Sequence, residues 1–274
     1  MFFHFIFAKE HKDSLLPWTG GFLYYGVIRG IGGGGKMARR EPLEAAQAFI
    51  TKRYPDCEAA ILAGSVVRGE ATETSDLDIV IFDEAIPFSY RESLVDEGWP
   101  IELFVHNLTS YRHFFEMDKE DAKPTMPRMV AEGIVLKGEA VLDPIRKEAR
   151  QLMEAGPDEW PEDTIITKRY FITDLLDDFI GCNDRGEELF IANALADLAV
   201  EFVLRTNRKW QGTSKWVVRS LKHYDEPFAE RLINALDAFY RTGAKDLLID
   251  IVDEILKPYG GRMFEGFSLG KINI

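Results

Sequence analysis

The chain is short of cysteine, of positive charge and of long apolar runs, and each shortage narrows what it can be. Cys57 and Cys182 are the only two cysteines in 274 residues, far apart and outside any C-x-x-C spacing. That excludes a disulfide framework or a cysteine zinc cluster and fits a reducing, cytoplasmic setting. Lysine and arginine number 33 against 46 aspartates and glutamates, a formal charge of −13. A general nucleic-acid binder needs basic patches for the phosphate backbone, so nucleic acid is not an expected partner. Met1 to Ala8 is apolar, but no basic segment precedes it and Lys9-Glu10 closes it. It is too short to cross a bilayer, so neither a signal peptide nor a membrane partner is expected. The five histidines, His106 and His113 among them, show no zinc-ligand spacing and receive no role.

With 46% hydrophobic residues, the composition is globular and supports one large or two modest domains. Near the start, Gly30, Gly32 and Gly35 satisfy G-x-G-x-x-G after the strand-like run 22–28. That fingerprint binds a dinucleotide only inside a βαβ unit whose second strand ends on an acid. Asp56 stands at about the right remove, but it follows Tyr54-Pro55 and no strand leads into it. The genetic code offers the better account. Glycine codons begin with two guanines and lysine codons with two adenines, so Gly32 to Lys36 encode a purine-rich stretch abutting the ATG of Met37. Translation is therefore expected to start at Met37, with residues 1–36 a leader outside the native protein.

Beyond Arg40 the pattern is orderly. Pro42 opens a helix that carries Leu43, Ala46, Phe49 and Ile50 at helical spacing and stops at Tyr54-Pro55. A short buried strand over 59–63 ends at Gly64, and one helical turn, a polar loop and a strand over 77–82 follow. The stretch 88–107 reads as a hairpin with Asp96-Glu97-Gly98 near its turn and an alternating strand over 101–105. Helices over 108–117 and 127–132 and a strand over 133–136 complete this half. Past Asp143-Pro144 the pattern is nearly all helical, with apolar stripes over 163–179, 187–205, 214–224, 227–240 and 244–256. The expected architecture is α+β: a mixed-sheet domain over 37–155 and a helical bundle over 156–274.

The chemistry centres on Gly64-Ser65 and on Asp76-Leu77-Asp78. Side chains alternate along a strand, so Asp76 and Asp78 share one face while Leu77, Ile79 and Ile81 share the other. Two carboxylates held this close repel unless a divalent cation sits between them, and hard oxygen donors select Mg²⁺. Gly64-Ser65 passes from strand to turn, where backbone N–H groups and a hydroxyl can hold phosphate oxygens. Glu102 is a charge inside the apolar run Ile101 to Val105, costly unless it faces a metal or a partner. If its strand neighbours that of Asp76 and Asp78, the three acids converge in a way that suits two-metal phosphoryl transfer. Arg68 reads either as a phosphate contact or as a solvated helix residue. Asp174, Asp177 and Asp178, and likewise Glu188, Asp197 and Glu201, suit a cationic ligand, although solvated helix faces often look the same. Trp210 and Trp216 suit stacking on a base or sugar, or anchoring of the bundle core.

Gly64-Ser65, Arg68-Gly69, Ser75-Asp76-Leu77-Asp78 and Glu102 together resemble the nucleotidyltransferase signature of the DNA polymerase beta superfamily, G-S-x-x-x-R-G…S-D-[LI]-D. The present chain has one residue fewer between serine and arginine. The helical half, Ser214 to Arg219 in particular, resembles the C-terminal bundle of aminoglycoside-type nucleotidyltransferases. The resemblance implies that Asp76, Asp78 and Glu102 hold two Mg²⁺ ions, with Glu102 as third ligand or general base. It implies that Gly64, Ser65, Arg68 and Lys215 bind a nucleoside triphosphate, ATP first. A hydroxyl of a small, cationic, antibiotic-like acceptor would attack the α-phosphorus and expel pyrophosphate, and many relatives pair as homodimers. The alternatives are a protein-modifying, AMPylating enzyme of toxin–antitoxin type and a nucleotide-binding regulator without turnover.

Overall fold

A computed structural model describes residues 39–270, which form one compact unit. The glycine run, Met37 and the apolar opening lie outside the described residues. The chain order begins α1 (Pro42–Arg53), β1 (Ala59–Ala63), β2 (Leu77–Phe82), β3 (Tyr90–Asp96), β4 (Trp99–His106), α2 (Tyr111–Glu120), α3 (Thr125–Glu132) and β5 (Ile134–Lys137). It continues through α4 (Glu139–Ala155), α5 (Glu162–Gly181), α6 (Arg185–Thr206), α7 (Lys215–Tyr224), α8 (Glu226–Thr242) and α9 (Asp246–Leu256). This is the α+β arrangement that the sequence implies.

The five strands make one mixed sheet in the order β3-β4-β2-β1-β5. Only β2 and β4 run parallel; the other neighbours are antiparallel. Glu97 (φ 49°) and Gly98 (φ 79°) form the two-residue turn between β3 and β4, with Asp96 opposite Trp99. Positive φ at both turn residues matches the right-handed twist of a hairpin, which fixes the register of everything that follows on β4.

Both faces of the sheet are covered. On one, Ala45, Ala46, Phe49 and Ile50 of α1 pack on Leu62, Leu77, Ile79, Ile101 and Leu103. On the other, Ile61, Val80 and Phe82 meet Tyr111, Phe115, Val130 and Leu142 from α2, α3 and α4. Residues Val80 and Phe82 share the face of Asp78 and are fully buried. Asp78 is therefore accessible because it lies at the start of β2, beyond the helical cover, and not because its face of the sheet is open.

Several boundaries differ from the sequence expectation. The 65–69 stretch is a set of turns and no helical turn, closed by Glu70 N–H donating to Ser65 O (2.9 Å) with Gly69 at φ 71°. Residues 108–110 are held outside α2, because Asn107 Oδ1 accepts from the N–H groups of Thr109 (3.0 Å) and Ser110 (2.7 Å). Helix α3 starts before Pro127, which falls in a first turn where no intrahelical N–H bond is lost. Helix α4 runs straight across Asp143-Pro144. Burial of Leu142, Ile145 and Ala149 against the sheet outweighs the one hydrogen bond that Pro144 forfeits.

Helices α5 to α9 close around their own core, built on Ile172, Phe179, Leu195, Phe202, Phe239 and Val252. Asp184 and Asp225 cap α6 and α8 by accepting from Glu187 N and Phe228 N, each at 2.9 Å. The loop entering α7 is stitched to the sheet half. Gln211 N–H donates to Ala122 O (2.8 Å), Gln211 Nε2 to Asp121 O (3.0 Å) and Trp210 Nε1 to Met153 O (2.9 Å). These bonds bring the N-terminus of α7 over the edge of the sheet where Asp78 lies. No helix of the described residues is long and apolar enough to cross a membrane.

Candidate active site

The site starts from strand register. Ala63 lies opposite Asp78 across β1 and β2, and Asp78 lies beside Glu102 across β2 and β4. Asp76, one residue ahead of β2, shares the face of Asp78. The condition on Glu102 is thus met, and the three carboxylates each place an oxygen within 4.8 Å of the others. The backbone leaves β1 at Gly64 with φ 80°, where a β-carbon would fall 1.9 Å from Asp78 Oδ2. Only glycine lets the chain pass this carboxylate. Ser65 is buried, and its hydroxyl donates to Ser75 Oγ (3.2 Å), which also accepts from Thr72 N–H (2.8 Å). Serine contacts thus tie the turn after β1 to the loop that delivers Asp76.

Burial, reinforced by Asp76 and Glu102, pushes the Asp78 carboxyl up to about 6. Among the described residues neither Asp76 nor Asp78 has a basic partner, whereas Glu102 Oε2 accepts from Arg91 Nη2 at 2.6 Å. Three crowded carboxylates with one cation among them fit a divalent metal, and all the donors are hard oxygens of the kind Mg²⁺ prefers.

Opposite the acids, Arg68, Arg128, Lys215 and Trp216 complete a cleft of about 340 Å³. The residues expected to bind nucleotide and metal, Gly64, Ser65, Arg68, Asp76, Asp78, Glu102 and Lys215, all line it. Arg68 is no solvated helix residue. Its Nε meets Glu70 at 3.2 Å and its Nη1 meets Glu132 at 3.7 Å, and its guanidinium lies 5.1 Å from the Trp216 ring centre. Arg128 stacks on the same ring at 4.1 Å, and burial lowers its pKa against the opposing pull of Glu132. Trp216 belongs to the cleft wall and Trp210 to the seam with α4, and neither is in the bundle core. Lys215, the first residue of α7, is exposed and has no ion-pair partner among the described residues. The positive end of the helix dipole adds to its charge.

Sequence reasoning missed Arg91, Lys123 and Arg128. The hairpin turn contains the signal for Arg91, since counting back from Asp96 opposite Trp99 sets it across from Phe104, diagonal to Glu102. Nothing local marks Lys123 or Arg128, which reach the cleft only through packing of α2 and α3. Of the acidic groups, Asp174 and Asp178 are exposed, and Asp177 meets Arg262 at 3.5 Å. Glu188 is neutralised by Lys245 (2.8 Å) and Arg185 (3.3 Å). Asp197 and Glu201 instead line a second cavity next to the cleft.

Residues 46–111 match a family model described as a nucleotidyltransferase domain. No curated protein matches the chain. Among solved structures, a nucleotidyltransferase-like protein from Exiguobacterium sibiricum 255-15 aligns over 79% of this chain and 74% of its own, at 11% identity and a TM-score of 0.41. The matched segment contains Gly64, Ser65, Asp76, Asp78 and Glu102, so the chain carries a nucleotidyltransferase domain and is a transferase of nucleotidyl groups.

Proposed function

We propose that the enzyme moves a nucleoside monophosphate, AMP from ATP first, to a hydroxyl of a small acceptor and releases pyrophosphate. The observation that carries this reading is the convergence of Asp76, Asp78 and Glu102 beside the Gly64-Ser65 turn, within the segment that matches the nucleotidyltransferase family. Gly64 and Ser65 hold the triphosphate by backbone and hydroxyl donors, while Arg68 and Lys215 neutralise its outer phosphates. Divalent ions held by the three carboxylates, Mg²⁺ by the hardness of the donors, supply charge neutralisation at the α-phosphate. Glu102 takes the proton of the acceptor hydroxyl as its oxygen bonds to the α-phosphorus. The bond from that phosphorus to the β-phosphate oxygen breaks, and pyrophosphate leaves in line. Positioning and charge stabilisation contribute most of the acceleration in such a transfer.

The acceptor is assigned to the neighbouring cavity of about 570 Å³, which meets the cleft at Lys123 and Gln211 to Thr213. Asp197 and Asn193 give it a polar, acidic side, and Val217, Leu221 and Leu236 give it an apolar one. Glu201 is already held by Lys168 at 2.5 Å, which leaves Asp197 for the ligand. These walls suit a small, cationic, partly apolar hydroxyl compound, such as an aminoglycoside-like antibiotic. The free thiols Cys57 and Cys182 agree with a cytoplasmic enzyme.

The test is pyrophosphate release from ATP, GTP, CTP and UTP with Mg²⁺ against a panel of aminoglycosides, lincosamides and other hydroxylated amines, with Asp76→Asn as blank. Release with one acceptor above the blank establishes the reaction. Metal-dependent nucleotide binding with no release across the panel would overturn the small-acceptor assignment.

A further inference from the structure

Behind Trp216 lies a third cavity of about 850 Å³ that the transfer reaction does not use. It shares one wall with the catalytic cleft, formed by Arg68, Arg128 and Trp216, and none of the three carboxylates lines it. Its lining has five arginine and lysine side chains against three glutamates, on a chain whose formal charge is −13. Glu70 and Glu132 are engaged by Arg68, Arg128 and Arg219, the last at 2.8 Å. Arg208 and Lys209, at the mouth, have no ion-pair partner among the described residues and are exposed. Against Glu154, the remaining acid of the lining, Arg208 and Lys209 leave a net positive charge of one among the unpaired groups.

The opposite chemistry lines the interior. Trp210, Trp216 and Tyr224 line the same space, with Arg68, Arg128 and Arg219 over the Trp216 ring and Lys209 Nζ 5.8 Å from the Tyr224 ring centre. The rim is built and not adventitious. Gly156 at φ 75° passes so close to Arg208 that a β-carbon would sit 2.8 Å from its carbonyl oxygen, and Trp210 is anchored on Met153 O at 2.9 Å. Aromatic faces beside a basic rim recognise a planar ring that carries a phosphate, by stacking and by charge-assisted hydrogen bonds. The volume lies within the range of small-ligand sites, roughly 300–1,000 Å³.

We propose that this cavity is a second nucleotide site, which takes a mononucleotide without a metal ion, with its phosphate on Arg208 and Lys209 and its base among Trp210, Trp216 and Tyr224. No carboxylate of the metal cluster lines it, so binding here is independent of Asp76 and Asp78. Because Arg68, Arg128 and Trp216 serve both cavities, an occupant is linked to the nucleotide affinity of the cleft, and the linkage is reciprocal.

The experiment is calorimetric titration of the full chain with AMP, and separately with inorganic phosphate, in EDTA and without acceptor. Saturable AMP binding is expected, at least about tenfold weaker in Arg208→Gln/Lys209→Gln and unchanged in Asp76→Asn. Phosphate alone should bind more weakly than AMP, because it gains no stacking. Absence of AMP binding in EDTA overturns the proposal, as does binding that Asp76→Asn removes and the rim variant leaves intact. Equal affinities for phosphate and AMP overturn the assignment of the rings. Both altered rim residues are exposed, so the fold is preserved, and circular dichroism checks this. The measurement involves neither metal nor turnover, so it succeeds or fails separately from the transfer reaction.

Discussion

The α-carbon of Gly64 is so close to the carboxylate of Asp78 that a β-carbon there would lie 1.9 Å from Oδ2. The backbone at Gly64 also sits at φ 80°, which costs other residues about 1 kcal/mol or more. Gly64→Ala should therefore displace Asp78 and weaken divalent-ion binding by about tenfold or more, with a fall of a few degrees in Tm. Mn²⁺ binding followed by electron paramagnetic resonance reads the first effect and a thermal melt the second. Wild-type Mn²⁺ affinity in the variant would remove Asp78 from the metal site.

Asp78→Asn separates stability from function. In the metal-free protein this substitution removes one of three crowded charges, so its Tm should equal or exceed that of the wild type. Addition of Mg²⁺ should raise the wild-type Tm and leave the variant unmoved, since only the first binds the ion. Turnover should be lost along with that shift. A variant that responds to Mg²⁺ like the wild type would contradict the ligand assignment.

Buried His106, whose Nδ1 lies 3.2 Å from Ser89 Oγ, has its pKa lowered by burial to about 4 from 6.5. The unfolded chain binds this proton at a higher pH than the folded one does. Stability from the neutral imidazole is thus present above pH 6.5 and lost as pH falls toward 4. From about pH 7.5 to pH 5 the loss is about 2 kcal/mol. Asp118, raised by burial to about 6, acts with the opposite sign over the lower part of the range. Comparison with His106→Phe isolates the histidine: urea unfolding of that variant should lack the 2 kcal/mol decline.

Lys215→Ala should raise the KM for the nucleotide about tenfold and leave the KM for the acceptor unchanged, if the exposed ammonium meets phosphate as proposed, since it lines the cleft and lies outside the lining of the cavity proposed for the acceptor. Steady-state kinetics with each substrate varied in turn distinguishes the two. An effect on the acceptor alone would reverse the assignment of the two cavities.

Ser214 precedes α7 at φ 53°, ψ −126°, a backbone conformation that suits glycine. Relief of strain should exceed the added entropy of the unfolded chain, so Ser214→Gly should stabilise by about 1 kcal/mol. The midpoint of urea denaturation measures this, and a lower midpoint would show that the serine side chain contributes more than its backbone costs.

Much of the site was legible because it depends on local rules. Alternation along a strand puts Asp76 and Asp78 on one face, and the apolar run around Glu102 marks a charge that must meet something. The turn at Glu97-Gly98 sets the register of β4 against β3 from four residues alone. Helix α4 was not legible, since Pro144 argues locally against it while the burial of Leu142, Ile145 and Ala149 is a tertiary effect.

Sequence by itself determined most of the strands and the bundle helices, the acidic pair and the glycine turn, since each follows from steric and periodic constraints within a few residues. Tertiary structure decided the parallel pairing of β2 with β4, which sets Glu102 beside Asp78. It also decided the meeting of Arg68 and Arg128 on the ring of Trp216, from positions 148 and 88 residues earlier in the sequence. Such contacts arise from which faces of separate elements bury together, and no local pattern encodes that choice.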